Sequence, residues 1–162
     1  MLILGIDPGT RVTGWGLVHE VKGNLSHLDN GGIFTPHKAP FFERICTIHD
    51  QLHQIILQFK PQAIALENIF VAKNAASALK LGHARGAAMV AAGREKVPLF
   101  EYSANAVKKS LTGFGHASKE QIQKMVKSLL NLREVAFTDA SDALAAAICH
   151  ANSYRMLQKV GT

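Results

Sequence analysis

Four acidic side chains stand where carboxylates can do chemistry. Asp7 ends an apolar run, Met1–Asp7, that Pro8-Gly9 stops; Glu67 ends a second run, Ala63–Glu67; Asp139 and Asp142 lie three apart near the start of a helical stretch. A spacing of three puts two side chains on one helix face. Ligand sites in open α/β sheets lie beyond the carboxyl ends of strands, so if the two runs are parallel neighbours, Asp7 and Glu67 emerge there side by side. Grouped carboxylates repel one another unless cations offset them. Oxygen donors with no supporting Cys or His set select Mg2+ or Mn2+ over zinc. Two such ions, bridged by Asp7, would activate a water and stabilise the leaving oxygen of a phosphodiester displacement. Lys119, in the first turn of its own helix, is a candidate to meet charge that develops on the phosphate. Taken singly, each residue also has a plain structural reading: Asp7 as a turn residue, Asp139 as a helix-start acid, Lys108 and Lys119 as solvated surface charges.

The elements that must position these residues follow from periodicity. Met1–Asp7 reads as a central strand buried on both faces, followed by strands Val12–Glu20 and Leu25–Phe34 joined at Lys22-Gly23-Asn24. Ile45, Ile48, Leu52, Ile55, Ile56 and Phe59 recur at helical spacing across Phe41–Phe59, and Pro61 ends that helix. Ala63–Glu67, after a helical crossover, should lie parallel to the first strand. Asn74 to about Arg94 is a helix apolar almost all round, which needs burial on more than one side. Small residues at Gly82 and Gly86 would let a second helix approach it, and a two-fold dimer through this helix would pair two acidic sites. Val97–Tyr102 is a fifth strand, Ser103 caps a short helix ending at Gly113, and Ser118 with Gln121 forms a capping box ahead of an amphipathic helix. The last helix starts near Thr138. The pattern predicts an α/β fold with a mixed five-stranded sheet flanked by helices.

The 162 residues, 48% of them hydrophobic, suffice for one domain with a full core. That domain spans residues 1–162, with a tail from about residue 155 onward. Length excludes two-lobed kinases and TIM barrels. No apolar run reaches the roughly 18 to 20 residues that a spanning helix needs, and Met1–Ile6 is too short and lacks a basic leader for a signal peptide, so a cytoplasmic protein without a membrane partner is expected. Lys and Arg outnumber Asp and Glu by 18 to 12. The excess is one-sided: residues 1–70 hold five basic and six acidic side chains, residues 71–162 thirteen and six. A basic half suits a polyanionic partner. Cys46 and Cys149 form no metal or redox motif and read as buried thiols of a reducing compartment. Cys46, His49 and His53 fall near one helix face, but helical spacing produces such trios by chance and no fourth ligand accompanies them.

Gly5-Ile6-Asp7-Pro8-Gly9-Thr10 with Gly14-Trp15-Gly16 resembles the opening of the RuvC family of Holliday junction resolvases. Leu66-Glu67-Asn68-Ile69-Phe70-Val71-Ala72-Lys73-Asn74 is similar to that family's second motif, and Lys80-Leu81-Gly82-His83-Ala84-Arg85-Gly86 and Asp139-Ala140-Ser141-Asp142-Ala143-Leu144-Ala145 complete the set. The resemblance covers nearly the whole chain in order and spacing. It implies an RNase H-like fold and a homodimeric, Mg2+-dependent endonuclease that resolves four-way DNA junctions in recombination and repair, beside the branch-migration proteins RuvA and RuvB. Carried over, Asp7, Glu67, Asp139 and Asp142 become the metal-binding acids, with two Mg2+ per site and Mn2+ as a substitute; some relatives carry histidine where Asp139 stands. Phe70 becomes an aromatic wedge near the junction centre, where an inserted side chain separates stacked bases. Lys108 and Lys119 become the basic residues beside the cleaved strand, with Lys73 and Arg85 as further DNA contacts.

The metal site reads phosphate geometry and does not itself choose a substrate, so a nuclease acting on RNA or on unbranched DNA shares these residues. A non-catalytic DNA-binding dimer would keep the acids for structure. An actin-like kinase fragment would share Asp-x-Gly-Thr, but its second lobe is absent.

Overall fold

In the computed structural model the chain folds in the order β1 (Leu2–Asp7), β2 (Val12–Val21), β3 (Asn24–Phe34), α1 (Phe41–Phe59), β4 (Ala63–Asn68), α2 (Ala75–Arg94), β5 (Leu99–Ser103), α3 (Ala104–Thr112), α4 (Lys119–Leu129) and α5 (Thr138–Val160). The structure describes residues 1–68, 74–135 and 137–160, with side chains up to residue 157. One mixed sheet runs β3-β2-β1-β4-β5. The β1–β2 and β2–β3 pairs are antiparallel, and β1–β4 and β4–β5 are parallel.

Strand alternation divides the apolar residues between two cores. Leu4, Ile6, Leu17, Ile64 and Leu66 face α1 and α2, meeting Ile48, Leu52, Ile56, Ala84, Ala88 and Ala91. Ile3, Val18 and Ala65 face the other way, onto Val107, Ile122, Val126, Leu144, Ala147 and Ile148 of α3, α4 and α5. The result is three layers with the sheet in the middle. Helix α5 lies against that sheet because it is rich in alanine: Ala140, Ala143, Ala145, Ala146, Ala147 and Ala151 are all buried, and small side chains bring a helix close.

Three expectations shift. The fifth strand begins at Leu99 and not Val97: Pro98 has no N–H to give a ladder, although its carbonyl accepts from Ile64 N–H at 2.9 Å. Helix α5 continues to Val160, into the stretch read as a tail, and Arg155 Nη1 reaches the Gly23 carbonyl of the β2–β3 turn at 3.4 Å. Cys149 is buried as expected, but Cys46 is exposed on α1, where it lines a groove toward α2. The capping box is present, with Ser118 Oγ accepting from Gln121 N–H and Gln121 Oε1 accepting from Ser118 N–H.

Candidate active site

Parity places the acids. Gly5 and Asp7 lie on the same face as Ile3, and Glu67 lies on the same face as Ala65, so both carboxylates point toward α5. The β1–β4 register pairs Ile6 with Leu66, which sets Asp7 and Glu67 abreast at the carboxyl ends of parallel neighbours. Asp139 and Asp142 come from the first turns of α5, the helix packed against that face. What lets α5 settle so close is glycine. A Cβ on Gly5 would lie 1.9 Å from the Ala143 carbonyl oxygen, and one on Gly14 would lie 2.1 Å from that of Asp139. Gly14 is the residue opposite Asp7 in the β1–β2 ladder. The strand position facing Asp7 is therefore filled by the backbone of Asp139, which seats the second pair of acids against the first. Both glycines stand in the sequence motifs, and a glycine inside a strand is the sequence signal for such close approach.

Electrostatics confirm that the four acids share one field. Burial pushes the Asp7 carboxyl up to about 8, assisted by Glu67, Asp142 and Asp139 and opposed by Lys119. Glu67 is also raised, by burial first and then by Asp142, with Lys119 and Lys108 pulling the other way. Lys119 Nζ lies 2.8 Å from Asp142 Oδ2, and this hydrogen bond raises the Lys119 ammonium. Glu67, Lys108, Lys119 and Asp142 line one cleft of about 180 Å³ with Val107 and Ile122. Among the described residues no three acidic, His or Cys groups converge on a single point. The arrangement nevertheless fits a divalent cation: acids forced together at a cost in burial and repulsion, one of them held by a lysine, form a donor set that gains from added positive charge.

The other predicted residues fall in different places. Arg85 is not brought to the acids; it pairs with Glu101, whose β5 position is in register with Leu66 and so faces α2, on the opposite side of the sheet. Phe70 and Lys73 lie outside the described residues. His49 Nδ1 meets Asp50 Oδ1 at 2.8 Å and His53 Nε2 meets Glu95 Oε1 at 2.7 Å, so each imidazole of the α1 trio has a carboxylate partner.

Among solved structures the chain resembles Thermus thermophilus RuvC, with a TM-score of 0.89 and 38% identity over 96% of both chains. It also resembles T. thermophilus RuvC in complex with a Holliday junction substrate, at 0.91 and 36%, again over 96% of each. The yeast mitochondrial Holliday junction resolvase Ydc2, 15% identical with a TM-score of 0.65, shares the fold. Mixed sheet, flanking helices and acidic cleft together define a metal-dependent nuclease of RNase H-like fold. A family model, Crossover junction endodeoxyribonuclease RuvC, matches residues 3–150. Curated relatives of that description include those of Syntrophotalea carbinolica, 54% identical over 96% of this chain and 97% of the relative, and Geobacter metallireducens, 53% identical over 96% and 95%. The chain belongs to the RuvC family of crossover junction endodeoxyribonucleases.

Proposed function

We infer that this protein is a structure-selective endonuclease that resolves four-way DNA junctions by hydrolysing phosphodiester bonds. The observation that carries the reading is the convergence of Asp7, Glu67, Asp139 and Asp142 on one face of the sheet, beside a cleft bearing Lys108 and Lys119, in a chain of this family. These four acids would hold Mg2+, two ions per site with Mn2+ able to replace it, which supplies an activated water and stabilises the leaving oxygen when bound. Asp7, at the end of the central strand with its carboxyl pushed up by burial, would be the acid shared between the two ions. Lys119, which pairs with Asp142 at 2.8 Å, would present its ammonium to the charge growing on the phosphate. Lys108 lines the same cleft and contacts the strand to be cut.

Phe70 acts as the wedge at the junction centre and Lys73 as a backbone contact beside it. Arg85, in its present pairing, would have to exchange Glu101 for a phosphate to touch DNA. The working form is a homodimer built on α2, whose outer face is open and apolar: Leu79, Met89 and Val90 are exposed, and among the described residues nothing beyond the helix's own backbone lies within 4 Å of where a Cβ would stand on Gly82 or Gly86. Between α1 and α2 runs an apolar groove of about 1020 Å³ that a second copy would fill. Two such subunits would place paired cuts on opposed strands, beside RuvA and RuvB. Among the described residues no helix is long and apolar enough to cross a membrane, and a cytoplasmic site of action is the reading consistent with DNA as substrate.

The decisive experiment offers a synthetic four-way junction, a duplex of the same sequence and an RNA–DNA hybrid, each with Mg2+ or EDTA. Symmetric nicks in the junction alone, and only with Mg2+, are expected. Equal cutting of duplex or hybrid would instead assign a general RNase H-like nuclease.

A further inference from the structure

Immediately after Asp7 the chain must reverse within four residues to enter β2, and that turn is fastened by side chains from β2, from the residue after β3 and from α1. Thr13, fully buried, donates its hydroxyl to the Gly9 carbonyl at 2.8 Å and accepts from Gly9 N–H at 3.3 Å. On the other side Thr35, at the end of β3, gives its N–H to the Arg11 carbonyl at 3.1 Å and its hydroxyl to the Thr10 carbonyl at 2.8 Å. Arg44, from the first turn of α1, closes the ring: its Nε donates to Thr35 Oγ1 at 3.0 Å and its Nη2 donates to the Thr10 carbonyl. We propose that Arg44, acting through Thr35, is a positioning residue for cleavage that locks the turn from Pro8 to Arg11 and thereby fixes the Asp7 carboxylate against Glu67 and Asp142. The proposal rests on the assignment of Asp7 to the metal site.

The chemistry of the ring supports a locking role. A hydroxyl has one proton, and Thr35 gives it to Thr10 while its lone pair receives Arg44, so donors and acceptors are matched around a closed loop. Only a guanidinium presents two donors in a fixed fork that can span a hydroxyl and a carbonyl together. Among the described residues Arg44 makes no ion pair with a carboxylate; a full positive charge is used to hold two neutral oxygens. Arg44 is also absent from the charges that perturb Asp7, which are Glu67, Asp142, Asp139 and Lys119. Its effect on the acid is therefore geometric, carried through three residues of backbone. Ile45 and Cys46, its neighbours on α1, line the groove toward α2, so the clamp ties that groove to the end of β1.

The test uses the full chain with Arg44→Met, Arg44→Lys, Thr35→Val and Thr35→Ser, and Asp7→Asn in parallel. Three readouts are taken: single-turnover cleavage at saturating protein, junction affinity in Ca2+, and calorimetric binding of Mn2+ to the DNA-free protein. Arg44→Met and Thr35→Val are expected to cut roughly 10- to 100-fold more slowly, as misplacement of a reacting group by up to about 1 Å would do. Their Mn2+ affinity should weaken about tenfold, with junction affinity unchanged. Thr35→Ser, which keeps the hydroxyl, should restore both losses, and Arg44→Lys, with one ammonium for two acceptors, should not. Wild-type cleavage and Mn2+ affinity in Thr35→Val or in folded Arg44→Met overturn the proposal. So does a loss of junction affinity that matches the loss of rate, because it would make Arg44 a DNA contact. Asp7→Asn separates the levels: if it cuts normally the metal assignment fails, and if it is inert while the Arg44 and Thr35 variants are normal, the clamp alone fails.

Discussion

Asp7 concentrates the chemistry at the scale of single residues. An acid pushed up to about 8 by burial and acidic neighbours binds more protons folded than unfolded between its ordinary value near 4 and its raised one. The metal-free protein should therefore lose stability as pH rises through that window. Asp7→Asn removes the ionisation, so thermal melts in EDTA should show the variant gaining on the wild type as pH rises from about 5 to about 8, by up to several kcal/mol, with the Tm difference widening across that range. Mg2+ should erase the difference by stabilising the wild type alone. The same amide should abolish cleavage, as should Glu67→Gln, while junction affinity in Ca2+ persists on the basic half. Lys119→Ala belongs here too. Its side chain is 57% exposed, so the pair with Asp142 contributes less than about 1 kcal/mol to stability. Single-turnover cleavage should nevertheless fall roughly 10- to 100-fold, since a donor aimed at developing charge acts on the transition state.

At the scale of elements, the site depends on how near α5 stands to the sheet. Gly14→Ala would put a methyl 2.1 Å from the Asp139 carbonyl oxygen, and backbone cannot swing aside as a side chain can. We expect a loss of about 1–3 kcal/mol from overpacking and a fall in cleavage of roughly 100-fold as Asp139 and Asp142 retreat from Asp7; denaturant melts and single-turnover assays measure the two effects separately. This dependence marks the limit of what a reader of the sequence could see. Asp7 and Glu67 were legible because each ends an apolar run, the first of them stopped by Pro8-Gly9, and α4 because Ser118 and Gln121 announce its start. The face on which those acids lie was not, because parity acquires a direction only once Ile3 and Ala65 are known to meet α5. Arg85 illustrates the converse: a basic residue in a motif reads as a DNA contact until register sets Glu101 beside it, on the side of the sheet away from the acids. Arg44 carried no local signal at all, its partners being nine and 34 residues distant.

For the molecule as a whole, the open face of α2 sets the expected assembly. Sedimentation at micromolar concentration in moderate salt should give a dimer for the wild type and a monomer for Val90→Glu or Met89→Glu, whose side chains are already exposed and whose replacement leaves the core intact. Those variants should lose coordinated cutting of the two opposed strands before they lose the ability to nick one; a monomeric wild type that still makes paired cuts would overturn the interface. The docking of α5 carries a different implication, one for the order of folding. Asp7 and Glu67 sit on strands that pair early in the sequence, but Asp139 and Asp142 arrive on a helix that packs across β1 and β2, more than a hundred residues back along the chain. Contacts of such long range close late. A partly folded or partly synthesised chain can hold a sheet with two acids on it and still present no complete site, so DNA nearby is exposed to the nuclease only after the last helix has sealed the fold.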